Sequence, residues 1–245
     1  MPRTPERQIS LAVRSVCAAF KEGKTRQRTE ILLPLIGATD LDDWPGGIQQ
    51  QFKAALPLVE DLLRGVREGT GLTGKLEAEV IDMGDAVGCF ESDKILAVLF
   101  PSGSTMKEII KRAEGKELVL LINPQWSTEN AYSNVISDFG ILWAKERAEK
   151  FLQPFVETFY FVQTRVDGEN LRVLRAWPLG YQVFAVDEVG GGRFLGSEPG
   201  RPAYATLKEL AASFEGSKAA MGIIDRMYAE ADYMRKTMKA PPPRE

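Results

Sequence analysis

Between residues 5 and 22, Ile9, Val13, Val16 and Phe20 recur every three or four positions, with Ala12 and Cys17 beside them and Arg7, Arg14 and Lys21 opposite. That spacing predicts an amphipathic helix. Thr4 is placed to cap it, Pro5 suits its first position and Gly23 ends it. Residues 27–33 (QRTEILL) read as a strand stopped at Pro34. Phe52, Leu56, Val59 and Leu63 form the stripe of a second helix over 46–67, in which Pro57 predicts a kink or a break. A glycine-rich connection follows over 65–74. The runs at 76–82, 94–100 and 117–123 read as strands, and the last two are near-continuously apolar, as buried parallel strands are. A helix near 104–114, capped by Ser102 or Ser104, joins those two into a strand–helix–strand unit. Another helix covers 141–152.

Beyond that point the period changes. The stretches FVETFYFVQTRV, LRVLRAW, YQVFAVDE and RFLG are separated by Asp167-Gly168, Pro178-Leu179-Gly180 and Gly190-Gly191-Gly192. These turn signals predict an antiparallel meander. Helices near 204–214 and 218–239 close the fold, and the proline-rich 240–245 is expected to be disordered. The whole reads as one α/β domain over 1–239, a mixed sheet with a parallel N-terminal part and an antiparallel C-terminal meander, flanked by helices.

Composition removes chemistry rather than adding it. The 245 residues contain no histidine, which excludes Ser-His-Asp and Cys-His triads, HExxH metal sites and imidazole acid–base steps. Cys17 and Cys89, each among apolar neighbours, read as reduced core thiols. A net charge of −3 argues against nucleic acid as a partner. No apolar run approaches the roughly 18 residues a membrane helix needs.

Several strings resemble chemical motifs. Residues 69–75 (GTGLTGK) fit a phosphate-binding loop until Leu76, where Ser or Thr should hold magnesium, and a helix precedes them where one should follow. Asp138-Phe139-Gly140 matches the kinase magnesium triplet without the other kinase motifs. Asp40, Asp42 and Asp43 share a loop, and Asp82 and Asp85 flank Gly84 at a strand end, where α/β sheets gather ligands. The long polar segment 123–140 offers Asn123, Gln125, Trp126, Asn134, Ser137 and Asp138 as a surface for a small ligand or a partner. The same side chains also suit capping and loop scaffolding. Arg7, Arg14 and Lys21 could meet an anionic membrane surface or an acidic protein, although Glu6 and Glu22 dilute that face. Near the C-terminus Ile224, Met227, Ala231, Met234 and Met238 form a stripe that suits either core packing or an adaptable docking helix.

The strings at 81–87 (IDMGDAV), 123–126 (NPQW), 134–140 (NVISDFG), 175–178 (RAWP) and 201–204 (RPAY) occur in that order. Together they resemble a domain of unknown function found in cyanobacteria, algae and plant chloroplasts. That family includes low-photosystem-II-accumulation assembly proteins and the C-terminal extension of a chloroplast adenylate kinase. The resemblance covers roughly residues 4–215 and supplies no catalytic residues. It implies a non-catalytic protein that assists photosystem II biogenesis through contacts with photosystem II subunits or assembly factors. Its place would be the chloroplast stroma or thylakoid surface, with peripheral thylakoid association, or the cytoplasm of a cyanobacterium. No cofactor and no metal are expected. No Ser-rich, acid-poor transit peptide is visible ahead of residue 4. The alternative is an α/β domain that binds a nucleotide or small ligand, with a magnesium-dependent enzyme as its extreme form.

Overall fold

The computed structural model describes residues 1–34, 47–126, 142–187 and 190–222, with Asp225, Met227, Tyr228 and Ala231 beyond them. Helix α1 (Pro5–Lys21) begins as its sequence predicts: the Thr4 hydroxyl accepts the Arg7 amide at 3.3 Å. Its stripe packs on α2 (Gly47–Thr70), which runs unbroken through Pro57. Pro57 is exposed, so the carbonyl its missing N–H leaves free faces water, and the expected break does not occur. The helix also continues through Gly65 and Gly69, where a loop was expected. A Cβ on Gly65 would lie 2.7 Å from Val13 Cγ2, and one on Gly69 would lie 2.5 Å from Cys17 Sγ. The glycines are where α1 and α2 approach most closely, which overrides their low helix propensity.

Nine strands form one sheet in the order β2-β3-β4-β5-β1-β6-β7-β8-β9. They are β1 (Arg26–Glu30), β2 (Glu77–Asp82), β3 (Val87–Glu91), β4 (Ile95–Leu99), β5 (Leu118–Ile122), β6 (Val156–Val166), β7 (Glu169–Ala176), β8 (Tyr181–Val186) and β9 (Gly192–Glu198). The sheet is mixed, as anticipated. β4, β5, β1 and β6 pair in parallel, whereas β2–β4 and β6–β9 pair antiparallel. Strand β3 had no counterpart in the hydrophobic pattern. The Asp167-Gly168 turn closes the β6–β7 hairpin with φ of 48° and 89°, the left-handed pair that such a turn requires.

One face of the sheet carries α1 and α2 over a continuous core that includes Val59, Leu62, Leu120, Ile122 and Phe159. The other face holds two separate cores. Helices α3 (Met106–Arg112) and α4 (Leu142–Leu152) cover Val98, Val119 and Leu121. Helix α5 (Tyr204–Ala212) and a 3₁₀ turn at Lys218–Ala220 cover Val173, Val183 and Tyr181. That 3₁₀ turn stands where the sequence predicted the start of a helix. The N-terminus of α3 is Thr105, not Ser102 or Ser104, and Thr105 makes no side-chain cap. Among the described residues no helix is long and apolar enough to cross a membrane.

Candidate functional site

Two polar clusters interrupt the apolar packing. The first stands at the carboxyl ends of β4 and β5, beside the point where chain connections diverge. β1 leads through α2 towards β2, while β5 leads through α4 to β6 on the far side of β1. Open α/β sheets bind ligands outside such a point. Here Asn123, in the left-handed region at φ 46°, continues the ladder with its side chain. Its Oδ1 accepts the Ile31 amide and its Nδ2 donates to the Ile31 carbonyl, both at 2.8 Å. Its own N–H donates to the Thr29 carbonyl at 2.9 Å. The ends of β1 and β5 are thereby laced together.

Next to this, Gln125 Nε2 donates to the carbonyls of Asp85 (2.7 Å) and Phe100 (2.8 Å). Asp82 Oδ1 accepts the amides of Gly84 and Asp85 at 2.9 and 3.0 Å. The Asp85 amide, with the Ser104 hydroxyl and the Gly84 amide, holds the Asp82 carboxyl below the ordinary carboxylate range against an opposing desolvation. Asp82 Oδ2 and Asp85 Oδ2 both face the Ser104 hydroxyl, at 3.1 and 3.0 Å, and Ser102 Oγ lies 2.8 Å from it. Sequence reasoning named Asp82, Asp85, Asn123 and Gln125, and the structure brings the two aspartates and Gln125 together. Trp126 belongs to the apolar core under α3 and α4, 6% exposed, rather than to a surface. Met227 is 67% exposed. Asn134, Ser137, Asp138, Met234 and Met238 lie outside the described residues.

The second cluster was not anticipated as a site. It lies on the face between the two smaller cores, and the central strand β1 supplies its axis. A regular strand would turn Glu157 and Tyr160 to opposite faces. A bulge at Thr158 shifts the β1–β6 register, so that Arg28 pairs with Glu157 and Glu30 with Tyr160. Both residues therefore face the same way. Arg28 bridges Glu157 at 3.1 Å, and Glu157 is almost wholly buried. The Tyr181 hydroxyl donates to the same carboxylate, and Arg175 donates to the Tyr181 oxygen at 3.3 Å. Arg201 donates to the Tyr160 hydroxyl, stacks 4.2 Å from that ring and lies 3.8 Å from Glu30. The rings of Tyr160 and Tyr181 meet edge to face at 5.8 Å, and Arg175 sits 5.1 Å above Tyr181 and 5.8 Å above Trp177.

Burial pushes the Glu30 carboxyl up to about 7; Glu157 adds to the rise, while Arg201 and Arg28 oppose it. Burial likewise raises Tyr181 to about 12, with Glu157 the next contributor. Arg28 Nε, Arg175 Nε and Trp177 Nε1 are buried without an acceptor. The sequence holds a trace of this cluster: the strings at 175–178 (RAWP) and 201–204 (RPAY) contribute Arg175, Trp177 and Arg201.

One further group has the spacing of a metal site. Ligand atoms of Glu79, Cys89 and Glu91 lie within 4.8 Å of one another. The Arg112 guanidinium already occupies that position, donating to Glu79 and, at 2.9 Å, to Glu91. Burial raises the Cys89 thiol to about 11, against the pull of Arg112. Both cysteines are free and buried, in keeping with core thiols.

A family model described as a domain of unknown function, DUF1995, matches residues 2–209, and the chain belongs to that family. Neither the curated proteins nor the solved structures compared with it gave a match.

Proposed function

We propose that this chain is a non-catalytic assembly or interaction protein of oxygenic phototrophs, acting in photosystem II biogenesis through contacts with photosystem II subunits or assembly factors. The finer family resemblance carried by 81–87, 123–126, 134–140, 175–178 and 201–204 motivates the biological setting. One observation favours a surface role over a chemical one. At the strand ends where an α/β sheet takes its ligand, three polar side chains among the described residues are spent on the chain itself: Asn123 on Ile31, Gln125 on two carbonyls, Asp82 on two amides. The exposed Met221, Met227 and Tyr228 support docking near the C-terminal end. The chain would work in the chloroplast stroma, at the thylakoid surface or in a cyanobacterial cytoplasm.

A tagged chain incubated with solubilised thylakoids is expected to retain a photosystem II subunit or assembly factor, and Met227→Asp to weaken that capture by about ten-fold. Recovery of neither kind of protein counts against the proposal. The competing reading, a magnesium- or nucleotide-binding domain centred on Asp82 and Asp85, makes the opposite forecast. It requires millimolar magnesium or nucleotide to raise the melting temperature, which is expected here to stay unchanged.

A further inference from the structure

On the face carrying α1, a groove of about 320 Å³ opens between the N-terminus of that helix, the chain leaving β1, and strands β6 and β7. Its lining is apolar at Pro2, Leu32, Leu33 and Phe161, and its only charged members among the described residues are Arg3 and Arg172. Arg172 is half-buried. Its Nε donates to Gln163 Oε1 at 3.0 Å and its guanidinium lies 5.8 Å above the Phe161 ring. Both contacts are neutral, and no carboxylate pairs with it among the described residues. Burial lowers its pKa, the signature of a cation that has lost water without gaining a counter-ion. The Gln8 amide, also in the lining, donates to the Leu32 carbonyl and accepts the Leu32 amide, with bonds of 3.0 and 3.1 Å. The acid nearest in sequence, Glu6, is outside the lining.

We infer that this groove binds a small amphipathic monoanion, with the carboxylate or phosphate head on Arg172 and Arg3 and the apolar body along Phe161, Leu32 and Leu33. An uncompensated guanidinium at the end of an apolar trough fits that ligand class: the head supplies the missing charge and the body displaces water from the walls. The ligand is a free molecule rather than a bilayer. A membrane-inserting surface projects its apolar side chains, whereas Phe161 and Pro2 are buried at the bottom of this one.

The test is titration calorimetry of the full chain with sodium octanoate below its micelle concentration, with octanol and phosphatidylglycerol vesicles in parallel. One octanoate site is expected, with octanol and vesicles bound at least ten-fold more weakly. Arg172→Gln is expected to weaken octanoate at least ten-fold. Arg3→Gln, at an exposed position that folding does not need, is expected to do the same and decides the matter if Arg172→Gln does not fold. Absence of octanoate binding, equal affinity for octanol, indifference to the decisive substitution, or binding to vesicles alone would overturn the inference.

Discussion

The two polar clusters of this sheet are built in opposite ways. Around Asp82, Asp85 and Ser104 the partners are loop neighbours at strand ends, open to water and satisfied by nearby amides and hydroxyls. Around Glu157 the partners come from β1, β6, β7, β8 and the segment before α5, and a bulge is needed to face them together. Only the Asp82–Gly84–Asp85 turn of the first cluster is local along the chain, Ser104 joining it from further on, whereas the second cluster depends on the register shift between β1 and β6. Exposed polar groups contribute little to stability because water replaces their bonds, whereas buried ones are costly to leave unpaired. The second cluster should therefore dominate every stability measurement, even though the first looks more like chemistry on paper.

Glu157→Ala should show the contrast at its largest. It leaves Arg28 facing the sheet without its carboxylate and should lower unfolding free energy by about 3–5 kcal/mol, read as a fall in denaturant midpoint. A loss under 1 kcal/mol would make the two clusters equivalent. Next comes the pH dependence set by Glu30. Its carboxyl is raised from 4.5 to about 7, so the folded chain holds a proton that the unfolded chain releases. This group's contribution is fully present below pH 4.5 and is lost as pH rises through 7, by up to about 3 kcal/mol. Glu30→Gln should flatten that fall and make the chain more stable than wild type at pH 8; an unchanged slope between pH 5 and 8 would assign it elsewhere. Asn123→Ala, at the edge of the first cluster but tied into the sheet, should cost about 1–3 kcal/mol by thermal or chemical melting. The smallest effect belongs to Ser104→Ala, expected within about 0.5 kcal/mol in the same assays.

How much of this was readable beforehand follows the same division. The apolar runs of β4 and β5, the stripes of α1 and α2 and the hairpin turns are local patterns, and they were legible in the sequence. Gly65 and Gly69 were not, because their reason is the side chains of Val13 and Cys17 on another helix. Strand β3 escaped because VGCFE is short and carries a glycine that makes room for the Phe52 ring, 2.8 Å from where a Cβ would sit. The acid pair at Asp82 and Asp85 was visible from its spacing, and its saturation by Ser104 and local amides was not. The buried cluster was invisible as a unit. Residues 27–33 read only as a strand, and nothing within RQRTE says that it will occupy the middle of nine strands.

That central position bears on how the polypeptide is made. β1 is synthesised well before its two neighbours, β5 and β6, and its bridge to Glu157 spans 129 positions. At about 5–20 residues per second, synthesis of that interval lasts on the order of ten seconds. Throughout it, a strand with two open edges must wait beside the completed α1. The sheet therefore closes only when β1 is captured by the later β5 and β6.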